Sequence, residues 1–258
     1  MEPVFCEVDD RALHEVPVPA YTDEEHGTWA LLLAKQRELV RGRACDEFLE
    51  GLERMPFEPD RIPGLVGVSE VIEANTGWRL KRVDGLVAPK DFFDLLATRQ
   101  FPSTDFIRGR HELDYTPSPD MFHDLFGHCP LLTSPDFTEF FEDFGRAGKA
   151  AFERYAPGHE IHDAIARMYW FTVEFGLIDT GDHLRAYGSG SVSSPEEIQF
   201  CLGPRCRRHP FEPDVVAATP YDIWHLQEDV FVIRSFPDLG QRFREWARRW
   251  GLLDAAAA

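Results

Sequence analysis

The sequence contains no run of about 18 apolar residues, the length that a helix needs to cross a bilayer. Its first ten residues, MEPVFCEVDD, are acidic and lack the basic-then-apolar pattern of a secretory signal peptide. Basic residues are also scarce, since 27 Lys and Arg stand against 45 Asp and Glu, a formal net charge of -18. An acidic surface repels nucleic acid and anionic membranes, so we expect neither as a partner.

Cysteine is sparse, and its distribution argues against a disulfide framework. The five cysteines are odd in number and form no C-x-x-C pair. Unpaired thiols suit a reducing compartment, so we expect a cytoplasmic protein. Signatures of several enzyme classes are missing as well, because the sequence shows no Gly-rich phosphate loop, no G-x-S-x-G elbow and no βαβ alternation.

Signals for helices dominate what is present. Thr22 to Glu25 form a capping box, which predicts a long helix with Trp29 on its buried face. Residues 55–68 are rich in proline and glycine and predict an irregular loop, followed by a short helix from Ser69 to about Gly77. Further helices are predicted over DFFDLLATRQF, over residues 161–178 and from about Pro237, and each of three Ser-Pro pairs predicts a helix start: Ser118-Pro119, Ser134-Pro135 and Ser194-Pro195.

Only two segments have the pattern of short strands, LRAYG and DVFVIRSF. The sequence therefore predicts an α+β fold that is predominantly helical, with a few short strands. The length of 258 residues fits one large domain. We expect an N-terminal extension over residues 1–20, a single catalytic domain over 21–250 and a C-terminal tail over 251–258.

Two histidines five positions apart lie in the apolar stretch PDMFHDLFGHCPLL. On an α-helix, side chains share a face at spacings of three or four, so His123 and His128 do not meet on one regular helix. A helix that carries His123, ends at Gly127 with a positive φ and is stopped by Pro130 would leave His128 in the following loop. In that arrangement the two imidazoles converge. By themselves they also fit a pair of hydrogen-bonded core histidines.

A third residue favours a metal site. Glu174 is the only charged residue in MYWFTVEFGLI, and a buried carboxylate must be protonated, paired or bound to a metal. Two histidines and one carboxylate fit either a catalytic zinc site or the facial triad of a non-haem Fe(II) oxygenase. The spacing of His123 and His128 differs from the i, i+4 pair of zinc proteases, and the many aromatic residues nearby favour an oxygenase.

Several long motifs now show a resemblance to a known family. YTPSPDMFHDLFGHCPLL, MYWFTVEFGL and LRAYGSGSVSS resemble the pterin-dependent aromatic amino acid hydroxylases, and most closely the bacterial phenylalanine 4-hydroxylases. The resemblance runs from about Ala20 to Trp250 with the motifs in order. It implies the hydroxylase catalytic fold and a monooxygenase that uses Fe(II), a tetrahydropterin and O2 to convert L-phenylalanine to L-tyrosine.

The resemblance also implies roles for individual residues. His123, His128 and Glu174 would hold Fe(II), and Arg108 would bind the carboxylate of the amino acid substrate. Ser193 would support a ligand histidine. The remaining implied site residues are those for the pterin (Gly85, Leu86, Val87, Phe92 and Asp124) and those for the substrate pocket and its polar surroundings (Tyr115, Thr116, Pro117, Trp170 and Glu197).

Some alternatives stay open within this interpretation. Trp170 stands where the tryptophan-hydroxylating members tend to have phenylalanine, which favours phenylalanine as the substrate. Ser189 replaces a usual alanine beside the pocket, so hydroxylation of tryptophan or at the meta position is the alternative. A zinc hydrolase and a catalytically silent metal-binding domain are the remaining ones. Because no regulatory domain or long C-terminal helix is recognised in the sequence, we expect a monomer.

Overall fold

The computed structural model describes residues 4–113 and 119–254 of the chain. Most of these residues are helical, as the sequence predicts. Within the described ranges the α-helices are α1 (Asp23–Val40), α2 (Asp46–Arg54), α3 (Leu65–Thr76), α4 (Pro89–Ala97), α5 (Pro135–Arg154), α6 (Glu160–Tyr169), α7 (Ser189–Ser193), α8 (Pro195–Cys201), α9 (Pro213–Ala218) and α10 (Phe236–Arg249). Two π-helices (His123–His128 and Trp170–Glu174) and two 3-10 turns (Leu13–Glu15 and Leu131–Thr133) complete the helical elements there.

Short strands form two small sheets in the same ranges. They are β1 (Arg79–Val83), β2 (Gln100–Thr104), β3 (Leu177–Asp179), β4 (Leu184–Ala186), β5 (Arg207–Pro210) and β6 (Asp229–Ile233). The larger sheet has the order β4-β3-β6-β5, in which β3 and β4 are antiparallel and the other neighbours are parallel. β4 and β6 lie in the two segments that the sequence predicts as strands, and the helix-rich α+β class is confirmed.

The structure contains one βαβ unit that the sequence analysis did not find. β1, α4 and β2 follow one another, and the two strands pair in parallel with Leu80 opposite Phe101. The strand sequences RLKRV and QFPST are five residues long and contain charged residues or a proline, which weakens any strand signal. The helix predicted over DFFDLLATRQF is α4, but its last two residues, Gln100 and Phe101, belong to β2. The sequence analysis therefore found the crossover helix and missed both of its strands.

Helix α1 begins as its capping box predicts. The Thr22 hydroxyl accepts a hydrogen bond from the Glu25 amide at 3.3 Å, and the Glu25 carboxylate accepts one from the Thr22 amide at 2.7 Å. On the buried face, the side-chain Nε2 of Gln36 donates to the Val192 carbonyl at 2.6 Å. This bond ties the long first helix to α7, which lies beside the two π-helices.

Helix α3 starts four residues earlier than the sequence analysis predicts. Its first residue is Leu65, Gly64 occupies the N-cap position, and Gly77 ends the helix with a φ of 77°. Ser69 lies inside the helix, where its hydroxyl accepts a hydrogen bond from the Leu80 amide at 3.0 Å. The serine that resembled a cap therefore joins α3 to β1.

The core around α5 is aromatic and tightly packed. Phe140 and Phe144 contact Phe243 of α10 at ring-centroid distances of 5.5 and 5.4 Å. On the α4 side, a Cβ added at Gly148 would lie 2.2 Å from the Phe93 ring, so only glycine allows this approach. The close contact fixes the position of α4 and of the partly buried Phe92 on it. None of the helices in the described part of the chain is both long and apolar enough to cross a membrane.

Candidate metal centre

Both predicted histidine ligands lie on one π-helix, and the predicted glycine-ended helix is wrong. Gly127 does not have a positive φ, and His128 is the last residue of the π-helix His123–His128. A π-helix bonds each amide to the carbonyl five residues back, which brings side chains five apart onto one side. The Nε2 atoms of His123 and His128 are accordingly 3.1 Å apart. The unusual spacing in the sequence is the spacing that this rare helix requires.

Glu174 completes the cluster from the end of the second π-helix. Its Oε1 lies 3.3 Å from His128 Nε2, and its Oε2 lies 3.6 Å from His123 Nε2. One ligand atom from each of the three residues falls within 4.8 Å of the others. The structure thus brings together all three residues that the sequence predicts as metal ligands, from positions about fifty residues apart.

The protonation states of these groups suit a cation. Burial raises the pKa of Glu174, but the neighbouring imidazoles and a serine hydroxyl outweigh it and lower the pKa to about 2. Burial also lowers the pKa of His123 from its usual value, against the opposing effect of Glu174. An ionised carboxylate and neutral imidazole nitrogens are the forms that bind a divalent metal.

A pair of serines on α7 orients the ligands. Ser193 Oγ donates to the Ser189 carbonyl at 2.7 Å, so its contact with His123 Nδ1 at 2.9 Å is one in which the imidazole donates. The proton therefore sits on Nδ1 and leaves the Nε2 lone pair for a metal. Ser189 Oγ lies 2.7 Å from Glu174 Oε2 and donates to it. Both metal-binding π-helices are fixed in this way by one short helix.

Asp124 and Cys129 are buried beside the ligands. Asp124 Oδ2 accepts hydrogen bonds from the amide and the hydroxyl of Thr104, at 2.8 and 2.9 Å, which ties the first π-helix to β2. Burial raises the pKa of Asp124 to about 6. The Cys129 thiol donates to the Asp124 carbonyl at 3.4 Å, and burial raises its pKa well above the usual value. Cys129 therefore remains a protonated packing residue.

Arg108 forms a bidentate ion pair that the sequence analysis missed. Its Nε and Nη2 donate to the carboxylate of Asp120 at 2.9 and 2.7 Å, and both side chains are buried. Asp120 also accepts from the His123 amide at 3.1 Å, as an N-cap residue does. Burial raises the pKa of Asp120, but the guanidinium outweighs that effect and lowers it. Asp120 directly precedes the helical stretch that carries the histidines, and this position was its only signal in the sequence.

Apart from Asp124 on the first π-helix, the predicted pterin residues lie on and before α4. The Phe92 ring meets the Tyr169 ring edge-on at 5.3 Å. Burial raises the pKa of Tyr169 well above its usual value, and the Glu174 carboxylate adds to the effect, so Tyr169 links Phe92 to the metal cluster. The predicted backbone segment of Gly85, Leu86 and Val87 precedes α4, and the Leu86 carbonyl accepts from the Cys6 amide at 2.8 Å.

Trp170 begins the second π-helix, four residues before Glu174. Its ring stacks on Tyr221 at 4.6 Å and contacts Phe175 at 4.8 Å. Its indole N–H donates to Gln227 Oε1 at 2.8 Å. Glu197, which belongs to the predicted polar surroundings of the pocket, accepts a hydrogen bond from the backbone N–H of Gln227 at 3.2 Å. Gln227 thus joins two predicted site residues, yet nothing in the sequence around it drew attention to it.

Three predicted substrate residues, Tyr115, Thr116 and Pro117, lie outside the described residues. Among the described residues, His123, His128 and Glu174 form a set of donor atoms that fits a metal such as iron. The Nε2 atoms of His123 and His128 lie 3.1 Å apart and face the Glu174 carboxylate, an arrangement that a bound cation would stabilise. Two imidazoles and one carboxylate form the facial set that leaves coordination positions open for other ligands.

Comparison with known proteins agrees with this geometry. Residues 7–252 match the family model described as biopterin-dependent aromatic amino acid hydroxylase. The chain is 42% identical to the phenylalanine-4-hydroxylase of Pseudomonas aeruginosa over 224 residues, which cover 87% of this chain and 82% of that protein.

Solved structures of the phenylalanine hydroxylase of Chromobacterium violaceum have the same fold. One, with bound iron(III) and 7,8-dihydrobiopterin, matches with a TM-score of 0.82 at 42% identity and covers 90% of this chain and 83% of that one. Another, with bound iron and phenylalanine, matches with a TM-score of 0.81 at 40% identity over 90% and 84% of the two chains. With its two π-helices, its His-His-Glu cluster and these relatives, the chain belongs to the family of biopterin-dependent aromatic amino acid hydroxylases.

Proposed function

We propose that this protein is a phenylalanine 4-monooxygenase that uses Fe(II), a tetrahydropterin and O2 to convert L-phenylalanine to L-tyrosine. The observation that carries the proposal is the convergence of His123, His128 and Glu174 within 4.8 Å, in a chain 42% identical to a bacterial phenylalanine-4-hydroxylase. The same chemistry on tryptophan or at the meta position of phenylalanine is the alternative, and Ser189 beside Glu174 is the residue that keeps it open.

The ligand residues hold the metal and keep coordination positions open. His123 and His128 would bind iron through Nε2, and Glu174 would bind it through one carboxylate oxygen while the other accepts from Ser189. Bound iron and reduced pterin together would supply the activation of O2 and the transfer of one oxygen atom to the aromatic ring. The protein contributes the orientation of the reactants and a dry site.

Arg108 would hold the head of the amino acid. Asp120 takes up the edge of the guanidinium formed by Nε and Nη2, so a substrate carboxylate would bind on the remaining Nη1 side. The buried ion pair keeps the arginine in one orientation, which lowers the entropy lost when substrate binds. Because Asp120 also accepts a hydrogen bond from the His123 amide, the substrate anchor and the metal ligands share one rigid support.

The aromatic residues would orient the two rings that must meet at the metal. Phe92 would stack on the pterin, with Asp124 and the backbone of Gly85, Leu86 and Val87 near it. Trp170 would pack against the ring of the amino acid. Tyr115, Thr116 and Pro117 would line the same pocket. The edge-on contact between Phe92 and Tyr169 supports this placement, because Tyr169 faces Glu174.

The compartment and assembly of the protein are part of the same proposal. All five cysteines are free thiols, four of them buried, which suits the reducing cytoplasm. We take the catalytic domain to be residues 21–250 of a monomer. A net charge of -18 supports this assembly state, since it disfavours the association of like chains.

Identification of the product tests the proposed function. Purified protein would be supplied with Fe(II), tetrahydropterin and O2, and with phenylalanine, tyrosine or tryptophan in parallel. We expect para-tyrosine from phenylalanine as the main product. Meta-tyrosine or hydroxylated tryptophan as the main product would favour the alternative, and the absence of hydroxylation from all three amino acids would contradict the proposal.

A further inference from the structure

The side chain of Gln227 forms hydrogen bonds through both its amide oxygen and its amide nitrogen, near the predicted substrate pocket. Its Oε1 accepts from the Trp170 indole at 2.8 Å. Its Nε2 donates to the carbonyls of Asp222 and His225, at 2.7 and 2.8 Å. The residue is 5% exposed, so water does not readily replace these partners. One glutamine therefore connects the loop between α9 and β6 to an aromatic residue of the second π-helix.

The backbone of Gln227 is held as firmly as its side chain. Its amide donates to Glu197 Oε1 at 3.2 Å, and its carbonyl accepts from the Cys206 thiol at 3.7 Å. Glu197 itself is fixed on α8, which Ser194 caps. β6 begins two residues later, at Asp229. Gln227 is thus anchored to α8 and to the larger sheet, and it acts on Trp170 from a rigid position.

The orientation of the Trp170 ring depends on this anchor. Tyr221 on one side and Phe175 on another restrict the ring plane, but ring contacts alone leave the direction of the indole N–H undetermined. The bond to Gln227 selects one direction. Turning the indole away would leave the buried Gln227 amide oxygen and the indole N–H without these partners, which is unfavourable.

We infer that Gln227 is a positioning residue that sets substrate selectivity by fixing the indole of Trp170. This inference rests on the proposed function, because it takes Trp170 to be the wall of the pocket for the aromatic ring. A fixed indole leaves room for one orientation of a single-ring substrate. An indole released from Gln227 reorients, so the pocket discriminates less between phenylalanine and the larger tryptophan.

A double-mutant cycle tests the coupling between the two residues. Gln227→Met keeps the length of the side chain and removes both the acceptor and the donor, while Trp170→Phe removes the indole N–H. We expect Gln227→Met to reduce the ratio of kcat/KM for phenylalanine to that for tryptophan about tenfold, which is the effect of losing about 1.4 kcal/mol. In the Trp170→Phe background, Gln227→Met should change the ratio little.

A matched control is available on α8. Gln199 is exposed, and its side-chain amide bonds to the Pro195 carbonyl at 2.5 Å, away from Trp170. Gln199→Met should leave the selectivity ratio unchanged. An equal effect of Gln227→Met in both backgrounds would overturn the inference, and so would an unchanged ratio in Gln227→Met alone.

A measurement on the unmodified chain covers the case in which Gln227→Met does not fold. The chain has six tryptophans, and the NMR signal of the Trp170 indole N–H can be assigned as the one lost in Trp170→Phe. We expect this proton to exchange with solvent much more slowly than that of Trp224, which is 64% exposed. Equal exchange rates would overturn the inference.

The two readouts also separate this inference from the proposed function. If the wild-type protein hydroxylates no aromatic amino acid, the proposed function fails, and the NMR experiment still tests whether the Trp170 indole N–H is protected, as the bond to Gln227 requires. If the wild type is active and the cycle shows no coupling, only the inference fails.

Discussion

At the scale of single residues, the metal ligands depend on hydroxyl groups that do not themselves bind metal. Ser189 donates to Glu174 Oε2 at 2.7 Å, and Ser193 accepts from His123 Nδ1 at 2.9 Å. Both serines are buried, so water does not compete for these bonds. Removal of a group that orients a metal ligand in this way typically lowers metal affinity or activity by about 10–100-fold.

Ser189 gives the first prediction, because its hydroxyl donates to the predicted metal ligand Glu174. Ser189→Ala should fold normally and bind Fe(II) about tenfold more weakly, since Glu174 loses the donor that fixes one of its oxygens. Titration of the metal-free protein with Fe(II) measures the change.

Ser194→Ala is the matched control for Ser189→Ala. Ser194 caps α8 by accepting from the Glu197 amide, so its loss should lower the melting temperature and leave the Fe(II) affinity unchanged. Equal Fe(II) affinities of wild type and Ser189→Ala would show that Ser189 does not orient Glu174.

Glu197 gives a prediction about pH. Burial raises the pKa of Glu197 to about 7, and the hydrogen bond from the Gln227 amide opposes this only in part. The folded protein therefore binds more protons here than the unfolded chain between pH 4.5 and 7, and the free energy of unfolding falls as pH rises through that window. Above pH 7 the free energy of unfolding is lower by about 3 kcal/mol than below pH 4.5 because of this one group.

Glu197→Gln should remove this part of the pH dependence, because a neutral amide keeps the acceptor for the Gln227 amide. Urea unfolding at about pH 5 and about pH 8 measures the difference for both proteins. We expect the variant to be less destabilised by the rise in pH than the wild type. An identical loss of stability in the two proteins would mean that Glu197 is ionised without cost in the folded state.

At the scale of secondary-structure elements, the site depends on close packing between α4 and α5. A Cβ at Gly148 would lie 2.2 Å from the Phe93 ring, and Phe93 neighbours the predicted pterin residue Phe92. Gly148→Ala should therefore push α4 away, destabilise the protein by about 1–3 kcal/mol and raise the KM for the pterin. Thermal unfolding and steady-state kinetics measure the two effects.

Gly67→Ala is the control for a change from glycine to alanine in a helix. Gly67 lies in α3, and a Cβ there would meet no atom within 4 Å. We expect this variant to be as stable as the wild type or more stable by about 0.5–1 kcal/mol. A Gly148→Ala variant that behaves like Gly67→Ala would show that α4 can shift without cost.

The elements also show what sequence reasoning could and could not predict. Caps and prolines are local signals, so the starts of α1, α5, α8 and α10 were predictable. Ser69 misled because a serine inside a helix can bond to a neighbouring strand, as it does with Leu80. The strands β1 and β2 carry charged residues or proline and depend on tertiary pairing, which a local pattern does not contain.

The site shows the same division between local and long-range information. His123, His128 and Glu174 were predictable from residue type and from the cost of burying a charge. The helix type that unites the histidines was not, because a π-helix is rare and its i+5 spacing resembles an interruption of an α-helix. Asp120 and Gln227 were missed because each acts through a partner at a distance in the sequence, Arg108 and Trp170 respectively.

At the scale of the whole molecule, the high net charge supports the proposed monomer. A net charge of -18 on 258 residues should keep the chains apart at low ionic strength. We expect a monomer of 29.6 kDa by size-exclusion chromatography with light scattering. A measured mass of a stable dimer or tetramer would contradict the proposed monomer without affecting the proposed chemistry.

The central claim is that the His-His-Glu cluster supports iron-dependent oxygen transfer to phenylalanine. Turnover under oxygen-18 gas, with Fe(II) and tetrahydropterin, tests it most directly when the tyrosine product is analysed by mass spectrometry. The account predicts one labelled oxygen atom in para-tyrosine, and no product from the Glu174→Ala variant, which lacks the carboxylate ligand. Formation of no tyrosine, of tyrosine with oxygen from water, or of labelled tyrosine by Glu174→Ala at the wild-type rate would contradict it.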